Sequence, residues 1–265
     1  MLITVNDLAI SYGATITVAD VNFELDRGQI LAIVGESGSG KTSVIRAIMG
    51  CLPGNGYISK GQIIYDGRDL CKNTREDWRR MSGRDMSMIF QDSGSMINPI
   101  RRIGNQFVDY IKTHDATLST KQAKELAKSI LLRVGLPNPD LIMRNYPFEL
   151  SGGMRQRIGI AMAMTFSPKL LLADEPTSAL DVTMQAQIVQ QIVTVRDELE
   201  AAVIVVTHNL GVAAYMSDML MVMKQGRVVE SGATRDVLFN PQHAYTKELL
   251  HAVPTIGGRC FYDAV

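Results

Sequence analysis

The sequence predicts an α/β fold whose sheet is largely parallel and covered on both faces. Short, nearly continuous apolar runs at residues 29–34, 86–90, 169–173, 202–206 and 219–223 have the length of strands buried on both sides. Segments with helical periodicity lie between most of them, the alternation that joins parallel strands by crossovers. The first run feeds a glycine-rich loop that is followed at once by a helical pattern.

Residues 2–10 and 16–25 alternate apolar and polar side chains around a turn at Tyr12 and Gly13, reading as two strands. Residues 29–34 form a buried strand, and residues 41–51 a helix. A further strand covers 61–65, closed by a turn at Asp66 and Gly67, and another covers 86–90. The mixed-charge stretch 75–80 reads as a solvated helix that Trp78 anchors on the sheet. From about Asn98 to Arg144 the character changes to a mainly helical insertion, clearest where Ala, Lys, Gln and Leu recur at helical spacing over 119–134. Then follow helix 155–165, strand 169–173, helix 182–199 and strands 202–206 and 219–223. The tail from about Gly232 is a short helical region with a loose, glycine-containing end.

Charge and composition narrow the function. Twenty-seven basic residues balance 27 acidic ones among 265, so no net field draws the chain to nucleic acid or anionic lipid. Cys51, Cys71 and Cys260 stand at no metal or redox spacing, a pattern suited to a reducing compartment. His114, His243 and His251 are scattered and indicate no metal site. Met154, Met162 and Met164 read as core filler. The N-terminus lacks the basic and apolar regions of a signal peptide, and the apolar runs are too short to span a bilayer. Work at a membrane would need spans from other subunits.

Gly35-Glu36-Ser37-Gly38-Ser39-Gly40-Lys41-Thr42 matches the phosphate-loop pattern in the strand-to-helix context it requires, with Ser43 next on the helix. Its glycines let backbone amides approach phosphate, Lys41 reaches the β- and γ-phosphates, and the Thr42 hydroxyl suits Mg²⁺. Asp174 and Glu175 end an apolar strand; the first suits the Mg²⁺ shell, the second a base that polarises water. Gln91 and His208 also follow apolar strands, and parallel sheets gather ligand sites at their carboxyl ends. A second anion-seeking site lies at Leu150-Ser151-Gly152-Gly153-Met154-Arg155-Gln156-Arg157, where paired glycines open an apolar helix and leave its first amides without intrahelical partners.

Together these segments resemble the nucleotide-binding subunit of an ATP-binding cassette transporter, over nearly the whole chain and with motif order intact. The phosphate loop resembles the Walker A motif and residues 170–175 the Walker B motif. Residues 150–156 resemble the signature, Gln91 the Q-loop, Ser178 to Asp181 the D-loop and His208 the switch histidine; Tyr12 falls where the family stacks an aromatic on adenine. The resemblance implies a P-loop NTPase with a RecA-like parallel-sheet core, an N-terminal antiparallel β subdomain and an inserted α-helical signature subdomain. It divides the chain into core (1–91 and 166–231), helical subdomain (92–165) and C-terminal extension (232–265).

It further implies ATP and Mg²⁺ bound at a head-to-tail pair of cassettes. Lys41, Thr42, Gln91, Asp174, Glu175 and His208 act in cis, with Gln91 beside Thr42 and Asp174 at the metal. Ser151 and Gly153 reach the partner's nucleotide, and Gly152, Gln156 and Asp181 count among the nucleotide-binding positions. The partners implied are a second cassette, related or identical, two transmembrane permease subunits and, indirectly, an extracytoplasmic substrate-binding protein, with the chain peripheral on the cytoplasmic face of the cell membrane. Residues 90–99, 146–151 and 240–246 with 249–254 resemble the oligopeptide, dipeptide and nickel importers, and the compact tail resembles the nickel members. Two alternatives differ in class. A soluble cassette ATPase acting on DNA or ribosomes usually carries a coiled-coil insertion or tandem cassettes, and a small-molecule phosphotransferase needs no second γ-phosphate site.

Overall fold

A computed structural model describes residues 1–91, 93–94, 96–177 and 182–252, with the backbone alone described at 182–184. The D-loop positions 178–181, Asp181 among them, and Cys260 lie outside the described residues.

Strands β1 (Ile3–Tyr12) and β2 (Thr15–Leu25) form a hairpin. Its turn falls at Gly13 and Ala14, one residue later than the sequence reading, because Tyr12 still pairs with Thr15. Strand β3 (Ile30–Val34) then enters the phosphate loop, and helix α1 (Lys41–Ile48) leaves it. The helix stops short of residue 51 because Gly50 turns to φ +66, where a Cβ would strike the Trp78 ring at 2.5 Å. Strand β4 (Gly56–Tyr65) starts earlier than its apolar residues suggest, and the two-residue β5 (Arg68–Asp69) closes this antiparallel sheet in the order β2-β1-β4-β5.

Helix α2 (Arg75–Met81) carries Trp78, partly buried against the core shared by the hairpin and α1. Strand β6 (Met86–Ile89) leads to the helical insertion, formed by α3 (Ile103–His114), α4 (Thr120–Arg133) and α5 (Pro139–Arg144). Ser119 and Gln122 form a capping box that starts α4. Helix α6 (Gly152–Met164) returns to β7 (Leu170–Asp174), followed by α7 (Val182–Leu199), β8 (Ala202–Val206), α8 (Leu210–Met216) and β9 (Met219–Lys224). Strand β10 (Arg227–Ala233) is antiparallel to β9, and α9 (Thr234–Phe239) and α10 (Ala244–His251) complete the extension.

The second sheet runs β10-β9-β3-β8-β7-β6, parallel from β9 to β6. Side chains along each inner strand alternate between two cores. Ala32, Ala173 and Val205 face the one shared with the helical insertion, and Ile33, Leu172 and Ile204 face the one shared with α1 and the hairpin. Both faces are therefore dry, which is why these strands read as unbroken apolar runs. Register fixes the functional edge: Ile33 pairs with Val206, Asp174 with Val206 and Ile89 with Ala173. The strand ends that carry the phosphate loop, Gln91, Asp174 and His208 thus finish level with one another.

Candidate active site

The phosphate loop wraps around its own lysine. Lys41 Nζ donates to the carbonyls of Gly35 at 2.8 Å and Glu36 at 2.6 Å, and contacts Ser39 Oγ at 3.4 Å. Its side chain is buried, and that burial lowers its pKa while the charges of Glu175, Asp174 and Glu36 oppose the shift. Gly35, at φ +145, brings the loop against β9 so closely that a Cβ would lie 2.1 Å from the Met223 carbonyl. Gly40, at φ +99, makes the bend from which α1 starts.

Thr42 Oγ1 donates to Asp174 Oδ1 at 2.8 Å, and Arg46 approaches Asp174 Oδ2 at 3.9 Å. Asp174 is only 2% exposed, and burial raises its pKa, with the Thr42 hydrogen bond and the Arg46 charge pulling the other way. A carboxylate and a hydroxyl side by side are hard oxygen donors, and their chemistry fits Mg²⁺. Arg46 escaped the sequence reading; its signal was the spacing of four from Thr42, which puts both on one face of α1.

Glu175 is the focus of the cleft. Gln91 Nε2 donates to its Oε2 at 3.3 Å, and His208 Nδ1 lies 3.3 Å from the same oxygen. Its backbone sits at φ +44, in the left-handed region that a non-glycine residue seldom occupies, and its N–H donates to the Val206 carbonyl at 2.9 Å. That bend turns the side chain out of the strand toward the loop. Ser37, Gly38, Gly40, Lys41, Thr42, Gln91, Glu175 and His208 line one cleft of about 450 Å³, together with Thr17 and Ser43. Nothing in the sequence singled out Thr17.

Other expected positions stand apart from that lining. The Tyr12 hydroxyl lies 3.2 Å from Ser43 Oγ, beside the start of α1. Ser151 caps α6, its Oγ accepting the Met154 N–H at 3.2 Å, and Ser151 and Gly152 are exposed. No residue from 150 to 157 lines the cleft, among the described residues. Gln156 is buried instead, and its Nε2 donates to the Pro176 carbonyl at 3.2 Å, tying α6 to the loop after β7. It therefore sits on the inner side of α6, away from the exposed Ser151 and Gly152. Gly159, a turn further on, packs so tightly that a Cβ would lie 2.4 Å from Ser93 Cβ, so α6 also rests on the loop after Gln91. Met164 is buried in the core, and Met154 and Met162 pack against it.

A phosphate loop, an acidic strand end and a glutamine and histidine meeting on its glutamate define an ATP-hydrolysing cassette. Residues 18–178, more than half the chain, match the ABC transporter family model. An oligopeptide transport ATP-binding protein of Bacillus subtilis is 42% identical over 260 residues, covering 96% of this chain and 72% of its own. A dipeptide transport ATP-binding protein of Lactococcus lactis is 40% identical, covering 90% and 68%. Among solved structures, a component of an ABC transporter complex from Clostridium perfringens superposes with a TM-score of 0.76 at 25% identity, covering 95% of this chain and 94% of that one. The chain belongs to the ABC transporter family, as an ATP hydrolase of that type whose hydrolysis is coupled to transport.

Proposed function

We propose that the protein is the ATPase subunit of a peptide importer, working as one half of a head-to-tail cassette pair. The observation that carries the catalytic assignment is the convergence of Gln91 and His208 on a single oxygen of Glu175 within the phosphate-loop cleft. Glu175 takes the proton of the attacking water, while Gln91 and His208 orient its carboxylate. Lys41 leaves the Gly35 and Glu36 carbonyls for the β- and γ-phosphates, whose amide cradle is the loop itself. Thr42 and Asp174, with Gln91, would hold Mg²⁺, which when bound would neutralise charge on the phosphate oxygens.

The exposed N-terminus of α6, outside the cleft of its own chain, supports a role for Ser151, Gly152 and Gly153 on a partner's nucleotide. Two permease subunits supply the spans, since no described helix is long and apolar enough to cross a membrane. An apolar cavity of about 340 Å³ behind the Gln91 loop, lined by Phe90, Met96, Ile97 and Met162, supports docking at this face; Met96 at its mouth is 65% exposed. The complex places the chain on the cytoplasmic face, fed by an extracytoplasmic binding protein. Peptide cargo is supported by the names of relatives at 40–42% identity, and nickel, the cargo of the other importers that residues 90–99 and 146–151 resemble, is the competing cargo.

Glu175→Gln tests the assignment. Turnover should fall by about 10²–10⁴-fold, the range for loss of a general base, while ATP stays bound. In cells the same substitution should stop uptake of labelled dipeptide or oligopeptide. Wild-type turnover in the variant removes Glu175 as the base, and loss of nickel uptake without loss of peptide uptake moves the cargo to nickel.

A further inference from the structure

The segment 240–246 resembles a C-terminal element of the peptide and nickel importers, yet none of the catalytic residues comes from it. Its physical role is visible at Tyr245, the second residue of α10. The Tyr245 hydroxyl accepts the Glu36 N–H at 3.0 Å, a bond that spans most of the chain and ends inside the phosphate loop. The ring is 7% exposed, and Lys224 Nζ lies 4.3 Å from its centroid, so the hydroxyl projects from a fixed platform.

The platform is itself anchored. Glu230 on β10 accepts the Gln242 N–H at 2.7 Å and the His243 N–H at 3.0 Å, charge-assisted bonds that seat the start of α10. His243 Nδ1 then accepts the Tyr245 N–H at 3.1 Å, which fixes the first turn of the helix. On the other side, the Glu36 carbonyl accepts Lys41 Nζ at 2.6 Å and the Ser39 N–H at 3.2 Å. One residue of the loop is therefore gripped through its N–H by the C-terminal extension and through its C=O by the lysine that serves the phosphates.

We propose that Tyr245 is a positioning residue for the phosphate loop: it pins the backbone at Glu36, so that the C-terminal extension sets affinity for nucleoside triphosphate. The proposal rests on the reading of the cleft as the ATP site. A loop whose first bend is pinned presents its remaining amides to phosphate without having to be ordered at the moment of binding. The extension then acts on the ground-state complex and not on the chemistry at Glu175.

The test is Tyr245→Phe in the full chain, which keeps the ring and its Lys224 contact and removes only the acceptor. Kd and KM for ATP should rise together, on the order of fivefold for one neutral hydrogen bond, with kcat unchanged. A variant that only folded less well would lower the active fraction, moving kcat and leaving KM. Glu230→Ala, outside the cleft lining, loosens the same platform and should raise KM by a smaller factor. Wild-type Kd and KM in Tyr245→Phe, or a fall in kcat alone, overturns the proposal while leaving the ATP site standing. A wild-type chain that binds no ATP overturns both.

Discussion

Asp174 is a carboxylate held where its charge is disfavoured. It is almost fully buried, its pKa lies above the ordinary 3.8 because of that burial, and its nearest cation, Arg46, is 3.9 Å away. A raised folded-state pKa means that the contribution to stability is full below pH 3.8 and is lost as pH rises through the folded value. At neutral pH the ionised side chain therefore weakens the fold that contains it. Asp174→Asn, which keeps an oxygen for the Thr42 hydroxyl, should raise the thermal midpoint at pH 7, the gap narrowing as pH is lowered toward 3.8. The same variant should lose Mg²⁺-dependent ATP binding. Calorimetric scans over pH, with and without MgATP, read both, and a midpoint below that of the wild type at pH 7 would contradict the burial argument. Lys41, Thr42, Asp174 and Glu175 were legible in the sequence because each belongs to a short motif whose spacing is the chemistry. The left-handed backbone of Glu175 and the inward turn of Gln156 were not, since both depend on neighbours distant in sequence.

At the scale of the element, legibility followed burial. Strands β3, β7 and β8 were plain because both of their faces are dry. Strand β10 and most of β4 carry polar, half-exposed residues, so only their ladders identify them. Helix α8 escaped because its seven residues give too few turns for a period to show; it is Asn209 that starts it, accepting the amides of Gly211 and Val212. In the proposed cassette pair the N-terminus of helix α6 would have two tasks, and its cap can separate them. Ser151→Ala should cost about 1 kcal/mol and lower the thermal midpoint by about 2–4 °C, because the Met154 amide loses its acceptor. Ser151→Gly should cost only a few tenths of that, since glycine tolerates the cap conformation. Both remove the hydroxyl offered to a partner's nucleotide, so ATP turnover should fall in both alike. Turnover that tracks the midpoint instead would mean that Ser151 serves the helix alone.

The phosphate-loop cleft and the start of α6, the second phosphate-directed surface of the proposed function, do not meet within one chain. The cleft lies at the carboxyl ends of the parallel strands, while the exposed start of α6 lies outside its lining. A single chain that used both on one nucleotide would need a large rearrangement of α6, which is fixed by Gln156 to Pro176, by Arg157 to the Gly135 carbonyl and by Gly159 against Ser93. Two chains arranged head to tail would instead bring the start of one α6 to the cleft of the other. This yields a complementation experiment in which each variant is inert alone. Lys41→Ala removes the cation that neutralises the β- and γ-phosphates, so neither site of its homodimer binds ATP well. Ser151→Arg places a bulky cation at the start of α6, so its homodimer binds ATP in both clefts but completes neither. Mixed together, the two variants can form one site from the intact cleft of Ser151→Arg and the intact α6 of Lys41→Ala; the other site carries both defects. If copies of this chain pair with each other, turnover should reappear on mixing and peak near equal amounts. Random pairing then puts half the dimers in the mixed form with one good site each, giving about one quarter of the wild-type rate. Mixtures that stay inert, with Ser151→Arg still binding ATP, would show that the second α6 comes from a different cassette.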